Sequence, residues 1–202
     1  MTGNGQAAGN GTASFPLIIL IGPPGAGKTT VGALLAARLG TGFTDTDAVV
    51  EAAAGKPVAD IFISDGEPEF RRLERDAVGT ALTSNSGAGT RPAGVLGLGG
   101  GAVMDEQTRA RLAGRAVVYL ETGFSELAKR VGLDRARPLL IGQNPRGQLK
   151  SLLDQRLPVY EGLAWLTVRT DGRDPDEIAA EIAAEIAAGL APGYGEPPGD
   201  GR

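Results

Sequence analysis

The sequence contains neither cysteine nor histidine, and these two absences exclude several kinds of chemistry. Without cysteine there is no disulfide framework, no thiolate nucleophile and no cysteine-ligated metal. Without histidine there is no imidazole base and no histidine metal ligand, which excludes Ser-His-Asp, Cys-His and zinc-hydrolase mechanisms. Any acid–base chemistry must therefore come from Asp, Glu, Lys or Tyr.

The chain also lacks an excess of positive charge and a long apolar run. Its 202 residues include 20 basic and 24 acidic side chains, a formal net charge of −4, which argues against nucleic-acid binding through bulk charge. No apolar run approaches the roughly 20 residues that span a bilayer, and residues 1–14 lack the basic and apolar regions of a signal peptide. We therefore expect a cytoplasmic protein with neither a nucleic-acid nor a membrane partner.

The uneven distribution of the 32 Gly and 13 Pro residues indicates where the folded domain lies. Residues 1–14 are small or polar without periodicity, and residues 191–202 are rich in Gly and Pro, so we predict a disordered extension and a disordered tail. The segment Ser84–Pro92 is predicted to be a surface loop. One domain over residues 15–190 remains, because no linker is long enough to separate two.

Within that domain, short apolar runs alternate with helical patterns. The runs predict strands at Leu17–Ile21, around Phe43, and at Gly94–Leu98, Ala116–Glu121 and Ala164–Val168. Helices are predicted at Lys28–Leu39, near Ala48, and at Pro68–Leu82, Asp105–Leu112, Phe124–Val131 and Arg146–Tyr160, with a last one opening after Asp174-Pro175. This alternation predicts a parallel α/β sheet, whose ligands lie at the carboxyl ends of the strands.

Residues 22–29, GPPGAGKT, match the phosphate-loop pattern GxxxxGK(S/T). They follow a predicted strand and open a predicted helix, which is the context that the motif requires. Backbone N–H groups of such a loop wrap a phosphate, Lys28 reaches the β- and γ-phosphates, and the Thr29 hydroxyl ligates Mg²⁺. The motif predicts a Mg-nucleotide site, and the small domain without a guanine-binding NKxD motif favours phosphoryl transfer to a small metabolite.

Two carboxylates, Asp45 and Asp47, follow at the end of the second predicted strand. At positions i and i+2 of an extended chain both face the same way, toward the expected crevice. Asp45 is the candidate for the Mg²⁺ shell and the proton of the acceptor, and Asp47 for the hydroxyls of the acceptor. Alternatively, one of them caps the helix that begins near Ala48, a place that suits Asp47.

Four later features have the chemistry of an acceptor site. Arg71 and Glu74 share a face of a predicted helix, and Gly99-Gly100-Gly101 after a buried strand allows a ligand close to the backbone. Arg137 lies in a Gly-flanked stretch typical of a mobile lid, and Arg156 lies on a helix. Taken singly, the first feature is more typical of a solvated surface ion pair, and a flexible turn explains the second equally well.

Taken in order, these motifs resemble the shikimate kinase family over nearly the whole domain. The matching segments are GPPGAGKTT, FTDTD, EFRRLE, LGGGAV, RPLL and QRLPVY. The resemblance implies a P-loop NTPase/kinase-type three-layer α/β fold, with a five-stranded parallel sheet, a lid at about residues 132–146 and a substrate-binding segment. It also implies ATP-dependent phosphorylation of the shikimate 3-hydroxyl, a step of chorismate and aromatic amino acid biosynthesis.

The resemblance further implies a role for each matching position. Lys28, Asp45 and Arg137 are the expected catalytic residues, and Thr29 the expected Mg²⁺ ligand. The residues expected to bind ATP are Gly25, Ala26, Gly27, Lys28, Thr29, Thr30, Arg137 and Arg173. Those expected to bind shikimate are Asp47, Arg71, Gly100 and Arg156. Shikimate is a carboxylate with three hydroxyls, which suits arginine forks at one end and acidic or backbone groups at the other. We expect a monomer.

Two other functions remain open at this point. Another small P-loop metabolite kinase, such as a gluconate kinase, is the nearest alternative, although we would expect a histidine in its acidic motif. A nucleotide-binding module without transfer activity is the other alternative. Asp45, Arg71 and Arg137 argue against it, because a pure binding module needs no acceptor pocket.

Overall fold

Five parallel strands form one sheet in the computed structural model, which describes residues 15–83, 93–132 and 144–192. The strands are β1 (Ile18–Ile21), β2 (Gly42–Asp45), β3 (Ala93–Gly97), β4 (Ala116–Glu121) and β5 (Leu166–Arg169), and their order across the sheet is β2-β3-β1-β4-β5. All four pairings are parallel. The predicted five-stranded parallel α/β sheet is confirmed.

Eight α-helices connect or flank the strands within the described residues. They are α1 (Lys28–Arg38), α2 (Thr46–Ala54), α3 (Val58–Ser64), α4 (Gly66–Thr83), α5 (Glu106–Leu112), α6 (Phe124–Arg130), α7 (Pro145–Leu163) and α8 (Pro175–Ala187). All except α3 were predicted, with bounds that differ by up to three residues. Helix α3 was missed because its seven residues, VADIFIS, are rich in β-branched and aromatic types and too short to display a helical period.

The sheet is covered on both faces, so its central strands β1, β3 and β4 are apolar almost throughout, whereas the edge strands β2 and β5 contain polar residues. Ile18 and Leu20 of β1 face a layer formed by α1 and α8, whereas Ile19 and Ile21 face the layer of α4, α5 and α7. The apolar face of α8 is buried in the first of these layers. Asp174 is the N-cap of this helix, because its carboxylate accepts a hydrogen bond from the Asp176 amide at 2.8 Å.

A smaller apolar cluster joins the three helices between β2 and β3. Val50 of α2, Ile61 of α3 and two residues of α4, Phe70 and Ala77, form its centre. Because Arg71 lies next to Phe70 on α4, this cluster determines where the guanidinium stands relative to the sheet. The segment is thus a packed unit that presents α4 to the site.

The carboxyl ends of the strands meet at one edge, as the parallel topology requires. Residues 22–27 follow β1, α2 follows Asp45, and residues 99–101 lie just after β3. No helix among the described residues combines the length and the hydrophobicity that a bilayer crossing requires. The predicted extension at residues 1–14, the loop Ser84–Pro92 and most of the predicted lid and tail lie outside the described residues.

Candidate active site

The phosphate loop leaves the amino terminus of α1 open toward a cleft. Gly25 and Gly27 have φ angles of +84° and +95°, which side chains rarely adopt, so glycine is required at both positions. Gly27 is the N-cap of α1, no side chain caps the helix, and its first turn contains no acidic residue. Unpaired N–H groups and the positive end of the helix dipole therefore remain for an anion. This arrangement fits the phosphates of a nucleotide.

Lys28 is folded back onto the loop that it follows. Its Nζ donates hydrogen bonds to the carbonyl of Gly22 at 2.8 Å and to that of Pro23 at 3.0 Å. Burial lowers the pKa of Lys28 to about 8, although the nearby charges of Asp47 and Asp45 raise it. The ammonium group is therefore partly desolvated and held by neutral carbonyls, which phosphate oxygens would replace as stronger partners.

Both carboxylate oxygens of Asp45 are already engaged. One accepts from the Thr29 hydroxyl at 2.7 Å, and the other accepts from the Asp47 amide at 3.0 Å. Asp45, and not Asp47, is thus the N-cap of α2. The expectation that both carboxylates project from an extended strand is wrong, because β2 ends at Asp45 and the capping hydrogen bond starts the helix at Thr46.

Asp47 lies in the first turn of α2 with an unsatisfied oxygen. Its Oδ1 is buried and has no hydrogen-bond partner among the described residues. Burial raises the pKa of Asp47, and the charge of Asp45 raises it further, against the lowering effect of Lys28. A buried oxygen without a partner is costly, and a hydroxyl group of a bound ligand would satisfy it.

The glycines after β3 are required by the close approach of other side chains. A Cβ atom at Gly99 would lie 2.5 Å from Asp47 Oδ1 and 2.7 Å from Glu74 Oε1. At Gly100 it would lie 2.7 Å from Cδ of Pro24, in the phosphate loop, and at Gly101 it would collide with the Arg71 guanidinium. Residues 99–101, hereafter the glycine turn, therefore lie where the phosphate loop meets acidic and basic side chains.

The predicted pairing of Arg71 with Glu74 is confirmed. Arg71 Nη1 lies 2.7 Å from Glu74 Oε2, and Arg71 Nη2 lies 3.1 Å from Glu67 Oε1. The Glu74 side chain is almost fully buried, and burial raises its pKa although Arg71 lowers it. Because a buried carboxylate is costly without a positively charged partner, Glu74 holds the Arg71 guanidinium in place beside Gly101.

Arg156 approaches the same turn from α7. Its Nη1 donates to the Gly100 carbonyl at 3.0 Å, and the Tyr160 hydroxyl donates to the same oxygen at 2.6 Å. Two arginines, one unsatisfied carboxylate and the glycine backbone thus surround a single turn next to the phosphate loop.

On the other side of the loop, a cleft of about 630 Å³ extends toward the ends of β4 and β5. Its lining includes Gly25, Ala26, Gly27, Lys28, Thr29, Thr30, Asp45, Asp47, Arg130, Thr170, Arg173 and Pro175. Arg173 is oriented by the Arg169 carbonyl at 3.1 Å and by Glu181 at 2.6 Å. Arg137 lies outside the described residues.

Comparison with known proteins agrees with this geometry. The family model described as shikimate kinase matches residues 24–187. The chain belongs to the shikimate kinase family. A shikimate kinase from Thermobifida fusca is 59% identical over 166 residues, which are 82% of this chain and 92% of that protein.

Solved structures give the same family and separate it from the nearest alternative. A shikimate kinase from Acinetobacter baumannii, solved in complex with shikimate, matches with a TM-score of 0.77 and 35% identity over 88% of this chain and 96% of that chain. A gluconokinase from Sinorhizobium meliloti matches with a TM-score of 0.51 and 20% identity, over 87% of this chain and 94% of that chain. The second similarity extends to the fold alone.

Two residues of the candidate active site, Arg130 and Tyr160, were not predicted from the sequence. Arg130 lines the cleft and donates to the Thr170 carbonyl at 3.1 Å and to Glu126 at 3.0 Å. Because Arg130 is the last residue of α6, the sequence alone does not distinguish it from a basic residue that only complements the helix dipole. Tyr160 had a detectable signal, since it lies four residues after Arg156 on a predicted helix and so on the same face.

Proposed function

We propose that this chain transfers the γ-phosphoryl group of ATP to the 3-hydroxyl of shikimate, a step of chorismate and aromatic amino acid biosynthesis. The observation that carries the proposal is the glycine turn, on which Arg71, Asp47 and Arg156 converge and where Gly100 lies against Pro24 of the phosphate loop. Membership of the shikimate kinase family supports it, and so does the shikimate bound in the Acinetobacter baumannii relative.

The acceptor side has the groups that shikimate requires. Arg156 uses Nη1 on Gly100, and a guanidinium has further N–H groups that suit a carboxylate. Arg71, held by Glu74, supplies a second positive group. Asp47 Oδ1 and the backbone at Gly100 accept or donate to the hydroxyls of the ring.

The nucleotide side fits ATP with Mg²⁺. The open amino terminus of α1 and the Lys28 ammonium suit the phosphates, and Arg137 and Arg173 are proposed to contact the nucleotide. Thr29 Oγ1 and Asp45 Oδ2, 2.7 Å apart, are hard oxygen donors of the kind that Mg²⁺ prefers. Thr29 would ligate the ion directly and Asp45 would hold one of its water molecules. Bound there, Mg²⁺ neutralises charge on the phosphates.

The contacts of the two aspartates support Asp47, rather than Asp45, as the proposed acceptor of the proton. Asp45 uses one oxygen as a helix cap and the other on Thr29, whereas Asp47 retains a free Oδ1. In the proposed step the 3-hydroxyl oxygen forms a bond to the γ-phosphorus while the bond to the departing ADP oxygen breaks. The hydroxyl proton passes to Asp47, and Lys28 stabilises the charge on the transferring group.

The test is an ADP-release assay with Mg²⁺ and ATP, in which shikimate, gluconate or no acceptor is added. We expect turnover with shikimate alone and a phosphorylated product that carries the new ester at the 3-oxygen, identified by phosphorus NMR. Turnover with gluconate instead would make the chain a different metabolite kinase. Nucleotide binding without turnover on either acceptor would favour a binding module. We further propose that the enzyme acts as a cytoplasmic monomer.

A further inference from the structure

Helix α7 places two donors on one backbone oxygen of the glycine turn. The Gly100 carbonyl accepts from Arg156 Nη1 at 3.0 Å and from the Tyr160 hydroxyl at 2.6 Å. Arg156 and Tyr160 are four residues apart and therefore lie on one face of the helix. Because a carbonyl oxygen has two lone pairs, these two donors together satisfy it fully.

The two donors differ in their surroundings. Tyr160 is 1% exposed, and its ring stacks on that of Tyr119 in β4, with centroids 5.1 Å apart and planes 17° apart. Burial raises the pKa of Tyr160, so its hydroxyl keeps its proton and remains a donor. Arg156 is half-buried, and its guanidinium has N–H groups beyond the Nη1 group that binds Gly100. Tyr160 is therefore the fixed member of the pair and Arg156 the member that faces a ligand.

We propose that Tyr160 is a positioning residue of the acceptor site. Through the Gly100 carbonyl, its hydroxyl fixes both the glycine turn and the Arg156 guanidinium in the orientation that receives the substrate carboxylate. The inference rests on the proposed function, because it assigns Arg156 to the carboxylate of shikimate. Tyr160 does not itself touch the substrate, since its ring is buried between β4 and the glycine turn and its hydroxyl is occupied by Gly100.

Removal of the hydroxyl would leave Arg156 as the remaining donor to the Gly100 carbonyl. That guanidinium would then be held by an oxygen that has no other donor, at the moment when the substrate carboxylate requires it. The nucleotide side should change less, because Lys28 and the first turn of α1 have no hydrogen bond to Tyr160 among the described residues and meet the glycine turn only through Pro24. The effect should therefore appear in the affinity for the acceptor.

The experiment compares Tyr160→Phe with the matched variant Tyr119→Phe. Both changes remove one hydroxyl and keep the stacked rings, but the Tyr119 hydroxyl has no hydrogen-bond partner among the described residues. We expect Tyr160→Phe to raise the KM for shikimate by about five- to tenfold, which corresponds to the loss of one hydrogen bond. Its kcat and its KM for ATP should stay within about twofold of the original values, and Tyr119→Phe should change none of the three.

A double-mutant cycle distinguishes positioning from general support of the fold. In an Arg156→Gln background, Tyr160→Phe should raise the KM for shikimate by less than about twofold, because its action passes through Arg156. An equal effect in both backgrounds, or an equal rise in the KM for ATP, would overturn the inference. Melting curves are recorded for every variant, and the assays are run below the lowest transition so that unfolding does not contribute.

The outcomes also separate this inference from the proposed function. If the unaltered protein does not turn over shikimate, the proposed function fails and the inference fails with it. If the unaltered protein is active and Tyr160→Phe has the same KM for shikimate, the inference alone is rejected.

Discussion

At the scale of single residues, Asp45 and Asp47 differ in what their oxygens contact, although they are two positions apart. Asp47→Asn removes the proposed proton acceptor, so kcat should fall by about 10²-fold or more. The shikimate KM should change less, since an amide oxygen still accepts hydrogen bonds from the substrate hydroxyls. Steady-state kinetics with both substrates measure this split.

Asp45→Asn is the matched control for that change. Asparagine caps helices as well as aspartate does, so α2 should keep its start and the melting temperature should remain close to that of the unaltered protein. The loss of charge beside Thr29 should instead increase the Mg²⁺ concentration needed for half-maximal activity. If Asp45→Asn lost more kcat than Asp47→Asn at saturating Mg²⁺, the roles of the two residues would be exchanged.

Lys28 gives a pH dependence that can be derived from its surroundings. Burial lowers its pKa to about 8 in the free protein, so the ammonium loses its proton, and its attraction for phosphate, as the pH rises through that value. Since kcat/KM reports the free enzyme, kcat/KM for ATP should decline above about pH 8. The decline in kcat should come at higher pH, because bound phosphates raise the pKa of Lys28.

The control for this profile is Lys28→Met, which removes the titrating group. We expect its kcat to be lower by about 10²-fold or more, because a positive group at the transferring phosphoryl is lost. The activity that remains should show no decline near pH 8. A decline that persists in Lys28→Met would assign the titration to another group.

At the scale of elements, the space around the glycine turn is limited by four neighbours: the phosphate loop, α2, α4 and α7. Gly101 has an ordinary backbone conformation, φ −102° and ψ −12°, so alanine at this position would not strain the backbone. Its methyl group would nevertheless occupy the place of the Arg71 guanidinium. Gly101→Ala should therefore raise the KM for shikimate by about tenfold, the equivalent of one weakened charged contact, as measured by steady-state kinetics.

Gly162→Ala is a control within the same protein, because a Cβ atom there meets nothing within 4 Å. It lies in α7, where alanine is favoured over glycine by about 0.5–1 kcal/mol. The melting temperature should rise by about 1–4 °C with unchanged kinetics. If Gly101→Ala behaved like Gly162→Ala, the turn would have room to spare and the geometric argument would be wrong.

The elements also illustrate what the sequence could predict. Strands such as LIILI and AVVYLE were recognised because a strand buried on both faces is apolar throughout. The phosphate loop was recognised because its chemistry needs fixed residue types at fixed spacing. Helix α3 and the start of α2 were not, since the first lacks a helical period and the second depends on a capping hydrogen bond that either aspartate could make.

At the scale of the whole molecule, contacts between residues that are far apart in the chain could not be predicted from the sequence. Arg130 and Thr170 are 40 residues apart and meet only through the order of β4 and β5 in the sheet. Gly99, Asp47 and Glu74 meet because the carboxyl ends of β2 and β3 are neighbours and α4 packs beside them. Motif-bearing residues were thus predictable one by one, whereas their contacts required the topology.

The same topology couples ligand binding to the stability of the whole domain. ATP with Mg²⁺ would contact the phosphate loop, α1 and the end of β2 together, so binding should stabilise the folded protein against unfolding. At an ATP concentration about 100-fold above its Kd, the free energy of unfolding should increase by about 2.7 kcal/mol, which corresponds to a rise of about 5–10 °C in the melting temperature.

With ATP and a chelator the rise in melting temperature should be smaller, because Thr29 and Asp45 then have no ion to share with the phosphates. Thr29→Val, which lacks the hydroxyl, should show the same small rise with and without the chelator. If the chelator left the rise of the unaltered protein unchanged, the pair Thr29 and Asp45 would not be the Mg²⁺ site.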